Sequence, residues 1–210
     1  MVNFKLRAKT TALINLEQTE DDIFGKFRDT TRNEIRRTYK NSDLSFRFFN
    51  SVDDESYDIY KDFEYLQGRL PAPKENLKNC LFFGAYYKNK LISAIYLIAT
   101  RPYLRIRSIF SKRLRSEDKE LYKIISNSTR RLIWEICQWG KKEDYKSLDM
   151  ASVNFDNPKT ANITKFKMSF GGKVVNEYTY TYTSFLYKLL EKMVKIKKLI
   201  LKFKSLFSKK

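Results

Sequence analysis

The sequence predicts a mixed α/β (α+β) domain, and three observations lead there. Short β-rich runs alternate with helically patterned stretches from about residue 10 to residue 183. Three consecutive runs, 80–88, 90–99 and 103–111, are dense in Phe, Tyr, Ile and Leu and read as neighbouring strands. The first two are joined by a tight turn at Lys88-Asn89-Lys90. Residues 145–175 then form a strand–loop–helix–turn–strand unit, with Phe170-Gly171-Gly172 turning the chain.

In chain order, ALINL (12–16) is a first strand, and TEDD (19–22) supplies an N-cap and an acidic first turn. Phe24, Phe27, Thr31, Ile35 and Tyr39 continue at helical spacing to residue 40. LSFRFFN (44–50) is strand-like, and residues 55–66 form an amphipathic helix that ends before Gly68 and Pro71. A long helix is expected over 128–142, with Trp134, Ile136, Cys137 and Trp139 turned to the core. The closing unit has a strand ending at Leu148-Asp149 and a loop with Asn154, Asn157 and Pro158. Its short helix carries Ile163, Phe166 and Phe170 on one side.

Composition removes several chemistries. With no histidine, no Ser-His-Asp or Cys-His machine can be assembled, and two cysteines without histidine do not make a zinc site, so no metal is expected. Cys80 and Cys137 read as reduced core thiols. No run reaches the roughly 20 apolar residues that span a bilayer, and MVNFKLRAKT is not a signal peptide, so a cytoplasmic placement is expected. The net charge of +18 points to an anionic partner: nucleic acid, nucleotide-activated sugar, coenzyme A or a membrane face.

Three segments resemble the FemABX-related branch of the Gcn-related N-acetyltransferases (GNAT), over roughly residues 10–183. They are INLEQTEDDIFGKFRDTTRNEIRRTYK (14–40), STRRLIWEICQWGKKEDYKSLDM (128–150) and FKMSFGG (166–172). The resemblance implies a GNAT-like acyltransferase fold, with a mixed, largely antiparallel central sheet flanked by helices. It also implies an acyl donor held at the start of the long helix, where unpaired N–H groups bind anions. Ser126, Asn127, Ser128, Thr129, Arg130 and Arg131 are the residues expected there. The family's glycine-rich phosphate loop is absent, since no glycine lies between Arg107 and Arg131.

Arg28, Arg32, Arg36 and Lys40, each four residues apart, would share one helical face beside the acceptor cleft. Lys165 and Lys167 are further candidates for contacting an anionic acceptor. Asp149, at the carboxyl end of a central strand, is the candidate for proton handling. Phe166 stands where many GNAT enzymes carry a proton-donating tyrosine, and Tyr86, Tyr87 and Tyr96 are the tyrosines on the middle strands. The implied activity moves an acyl group from acyl-coenzyme A to an amine of a cell-envelope precursor such as an amino sugar. Two alternatives are aminoacyl transfer from aminoacyl-tRNA to a peptidoglycan precursor, and a non-catalytic membrane- or nucleic-acid-binding protein on the same fold.

Residues 184–210 form a second region, expected to be a basic amphipathic helix. Nine lysines oppose one glutamate, and Leu186, Leu189, Leu190, Met193, Ile196, Ile200, Phe203 and Phe207 fall along one stripe. Such a helix suits an anionic membrane surface, here the inner face of the membrane.

Overall fold

Local chemistry sets where the helices begin. Thr19 Oγ1 accepts from the Asp22 N–H at 3.1 Å and opens α1 (Glu20–Gly25). Asp53 accepts from the Ser56 N–H at 2.7 Å and opens α3 (Asp54–Leu66). Asp118 accepts from the Glu120 N–H at 2.8 Å and opens α4 (Lys119–Lys142). Each carboxylate or hydroxyl satisfies a donor that the helix itself leaves without a partner.

The computed structural model describes residues 4–182 and Ser184, so the helix expected over 184–210 lies outside the described residues apart from Ser184. The other elements are β1 (Phe4–Asn15), α2 (Asp29–Thr38), β2 (Leu44–Phe49), β3 (Cys80–Tyr87), β4 (Lys90–Thr100), β5 (Tyr103–Ser111), β6 (Ser147–Val153), α5 (Ala161–Met168) and β7 (Lys173–Tyr182). The strands form one seven-stranded sheet in the order β2-β3-β4-β5-β6-β1-β7. Antiparallel pairing joins β2 to β3, β3 to β4, β4 to β5 and β6 to β1, while β5 and β6 run parallel.

Two compact units divide the chain. Thr10–Val175 is one; Met1–Lys9 with Asn176–Lys210 is the other. In the second, the described strand ends carry the exposed Tyr178, Tyr180 and Tyr182.

Within Thr10–Val175, the strands bury both faces. Phe83, Ala85, Ile95 and Leu97 pack with Leu132, Ile133, Ile136 and Cys137 of α4. The alternate residues Phe82, Tyr86, Ala94 and Tyr96 pack with Ile59 and Tyr60 of α3. Each fully buried large apolar side chain contributes about 1.5–3 kcal/mol. Both cysteines are free and buried. Among the described residues, no helix is long and apolar enough to cross a membrane.

Three boundaries differ from expectation. The first strand begins at Phe4 instead of residue 12. The first helix is two helices with a corner at Lys26–Arg28, where the Arg28 N–H bonds the Ser169 carbonyl at 2.9 Å. Arg32 holds that corner, donating to the carbonyls of Gly25 (2.5 Å) and Phe27 (3.1 Å). The long helix begins at Lys119 and not at residue 128.

Candidate functional site

β5 and β6 pair for only three residues: Tyr103 with Ser147, Leu104 with Leu148, and Arg105 with Asp149. Beyond that point both strands are irregular. Arg107 has no partner opposite β4, because the register jumps from Ser108↔Tyr96 to Ile106↔Leu97. Ala151 of β6 takes a left-handed conformation at φ 60°, uncommon for a residue with a side chain. Two such bulges bend strands away from one another, and a cavity of about 430 Å³ lies at the parting.

Asp149 clasps the strands where they part. It is 8% exposed, and both of its oxygens are engaged. Oδ1 accepts from the Thr11 hydroxyl of β1 and from the Ala151 N–H at 2.7 Å. Oδ2 is 3.0 Å from Arg105 Nη1 of β5. One carboxylate therefore ties three strands together and holds the left-handed turn at Ala151.

The cavity wall is cationic. Arg69, Arg107, Arg113, Arg130 and Lys167 line it, with Ser108, Ser111, Ser126 and Thr129 between them and no carboxylate among the described lining residues. Its apolar part includes Phe63, Ile106, Ile109, Phe110, Ile163 and Phe166. Arg69 is held bidentately by Glu64 at 2.7 and 2.8 Å. Arg130 lies over the Phe166 ring at 5.4 Å and donates to Ser126 Oγ at 2.8 Å. Its Nε is 2.6 Å from Glu34 Oε2, an ionic contact off the line of an N–H···O bond. Burial pulls the Arg130 guanidinium below its ordinary pKa, with Glu34 opposing and Arg113 adding to the shift.

Lys167 is half-buried in this wall, and its ammonium donates to the Ser152 carbonyl at 2.8 Å. Burial pushes its pKa down to about 8; Asp149 pulls the other way, and Arg105 pushes further down. Such a group holds a proton at neutral pH yet releases it readily.

The expected residues are distributed unevenly around this site. Ser126, Thr129, Arg130 and Lys167 reach the cavity. Asn127, Ser128, Arg131, Lys165, Arg28, Arg32 and Arg36 do not line it, and neither does Asp149. The peptide N–H groups of Ser126–Thr129 lie inside α4 and serve the helix, so they form no open anion cradle. Ser128 and Thr129 return their hydroxyls to the Ile124 and Ile125 carbonyls at 2.7 and 2.8 Å. The true start of α4 is occupied by Asp118, beside Glu117 and Glu120. Arg131 is packed between Tyr39 and Phe46 and paired to Glu135 at 2.5 Å. Because the first helix is broken, Arg28 is a cap residue, Lys40 lies past the end of α2, and the four-cation face does not form. Arg36 lies over the Phe24 ring. Tyr96 is fully buried, donates to Ser56 Oγ at 3.1 Å, and has its pKa pushed up by burial.

Arg69, Arg107 and Arg113, and Arg105 as the partner of Asp149, escaped the sequence reading. A signal was present: arginines at 105 and 107 interrupt an otherwise apolar strand.

No family model matches this chain, and no curated protein does. Solved structures do. FemX aligns over 88% of this chain and 63% of its own, at 10% identity and TM-score 0.64. The C-terminal domain of a protein described as a lysylphosphatidylglycerol synthetase from Agrobacterium fabrum aligns over 91% of this chain and 66% of that one, at 17% identity and TM-score 0.62. L-PGS from Bacillus licheniformis aligns over 89% and 65%, at 13% identity and TM-score 0.56. The chain spans just under two thirds of each of these. It shares the fold of these three structures, in keeping with the FemABX-related, GNAT-like fold that the sequence resemblance implied.

Proposed function

We propose that this protein transfers an acyl group from an anionic, activated donor to an amine of a cell-envelope precursor, with the reaction occurring in the β5–β6 split. The observation that carries this reading is the cavity itself: among the described residues, five cations and no carboxylate line a cleft opened by parted parallel strands. Phosphates of the donor would be held by the side chains of Arg69, Arg107, Arg113 and Arg130. The activated acyl carbon would then lie near Lys167, whose ammonium stabilises the oxyanion that forms when the amine attacks. Positioning supplies much of the remaining rate, because the acyl group arrives already activated. Asp149 acts through Arg105 and Ala151, fixing the split, and the acceptor amine enters as its free base.

Between the two donors, an RNA-borne aminoacyl ester fits better than acyl-coenzyme A. A coenzyme pyrophosphate would need open N–H groups at the start of α4, where the Asp118 carboxylate already sits. Side-chain arginines, by contrast, suit an RNA end whose phosphates approach from several directions. Residues 184–210 would hold the protein at the inner, anionic membrane face, each near-surface lysine adding about 1 kcal/mol at modest salt.

Thermal unfolding of the full chain tests the donor, since a ligand bound only to the native state at 100 times its Kd adds about 2.7 kcal/mol. Aminoacyl-tRNA is expected to raise Tm, and acetyl-coenzyme A to leave it unchanged. The reverse pattern returns coenzyme A as the donor, and no response to either removes the acyl-transfer reading. Sedimentation with anionic vesicles, at low and high salt and with a chain ending at Thr183, tests the membrane role.

A further inference from the structure

Lys167 is the only amine among the described residues that line the cavity, and its burial there favours its free base. Arg105 of β5 adds positive charge beside it, and Arg107 of β5, Arg130 of α4, Arg69 just past α3 and Arg113 in the turn Lys112–Arg115 line the same cavity. Only Asp149 of β6 opposes them, and that carboxylate is already shared among Arg105, Thr11 and Ala151. Its ammonium donates to the Ser152 carbonyl at 2.8 Å, and the side chain lines the cavity.

We infer that Lys167 is a self-acylation site, at which an acyl donor bound in the cavity acylates the protein's own amine. The inference rests on the reading that acyl donors enter this cleft. In the step, the neutral Nζ attacks the acyl carbon and a C–N bond forms. The bond from that carbon to the donor's oxygen or sulfur breaks, the leaving group departs with the electron pair, and the nitrogen loses its proton to it or to water. The product is an uncharged amide that removes one cation from the wall and occupies part of the cleft. Donor binding falls as a result, so the modification limits the enzyme when acceptor is scarce.

At pH 7.5 a lysine of pKa near 8 is about one quarter free base, against about one in a thousand for an ordinary lysine. Lys165, exposed on the same helix, is the internal control. The full-length protein would be treated with limiting acetyl phosphate, with and without millimolar pyrophosphate, and acetylation followed by peptide mass spectrometry. Lys167 is expected to acetylate about tenfold or more faster than Lys165, and pyrophosphate to suppress Lys167 alone. A Lys167→Arg protein keeps the Lys165 rate and loses the fast component. Equal rates at the two lysines, or no protection by pyrophosphate, overturn the inference. Either result leaves the acyl-transfer reading standing, because that reading is judged by the thermal response to donors.

Discussion

The two ends of the β5–β6 pair are built from the same strands and do opposite things. At the closed end, Leu104 and Leu148 are fully buried, and α4 approaches so closely at Gly140 that an added Cβ would lie 2.6 Å from Leu104 Cδ1. At the open end, two bulges part the strands and the wall turns cationic. Asp149 sits at the join, with its oxygens spent on holding both sides. Apolar packing lies on one side of that carboxylate, and the cationic cleft proposed to take the donor lies on the other.

Mutation can break this division, and the largest effect is expected at the closed end. Leu104→Ala should cost about 2–5 kcal/mol of stability, measured by denaturant unfolding, while the folded fraction keeps its donor affinity. Equal damage to affinity would mean that the ends are not separable. At the open end, Arg107→Ala and Arg113→Ala should each weaken donor binding by about 1.5–3 kcal/mol with Tm nearly unchanged. Calorimetry reads this directly, and unchanged affinity in both would take the donor phosphates out of the cavity. Asp149→Asn belongs to both ends at once. It should lower stability by about 1–3 kcal/mol, because the carboxylate that joins Thr11, Ala151 and Arg105 loses its charge, and lower turnover together with it. A turnover loss with no change in Tm would restore Asp149 as the group that handles the proton.

The closed end was legible in the sequence and the open end only in part. Strands β3, β4 and β5 announced themselves as apolar β-rich runs, because burial on both faces demands that composition. Resemblance at FKMSFGG pointed to the unit that holds Lys167, and a helix forms there over Ala161–Met168. The site was misjudged where one local signal stood for another. Ser126-Asn127-Ser128-Thr129 looks like a helix cap, yet Asp118 caps the helix two turns earlier and the hydroxyls bond back to the preceding turn. The basic stripe from Arg28 to Lys40 kept its period through residues where the helix breaks, because Arg32 itself satisfies the carbonyls at the break. No local pattern predicts that Arg69, Arg107, Arg113 and Arg130, from four parts of the chain, meet in one cleft; that is a product of the strand parting.

The smallest effect tests the price of the open end. Lys167 has a folded pKa near 8, below the roughly 10.4 of an unfolded lysine. Its charged form is therefore disfavoured by folding, and below pH 8 it subtracts from stability by its full amount. Between about pH 8 and 10.4 the unfolded chain binds more protons at this residue than the folded one, so stability from this group rises with pH across that window. Lys167→Met removes the group. Below pH 8 the variant should melt higher than the natural protein, although its donor affinity is lower. The gap in Tm should shrink as pH rises from 8 towards 10, while tyrosines and other lysines titrate alike in both proteins. Thermal unfolding in matched buffers from pH 6 to 10 reads the difference. A gap that stays flat, or a variant that melts lower at pH 7, would mean that burial in the cationic wall imposes no cost on Lys167.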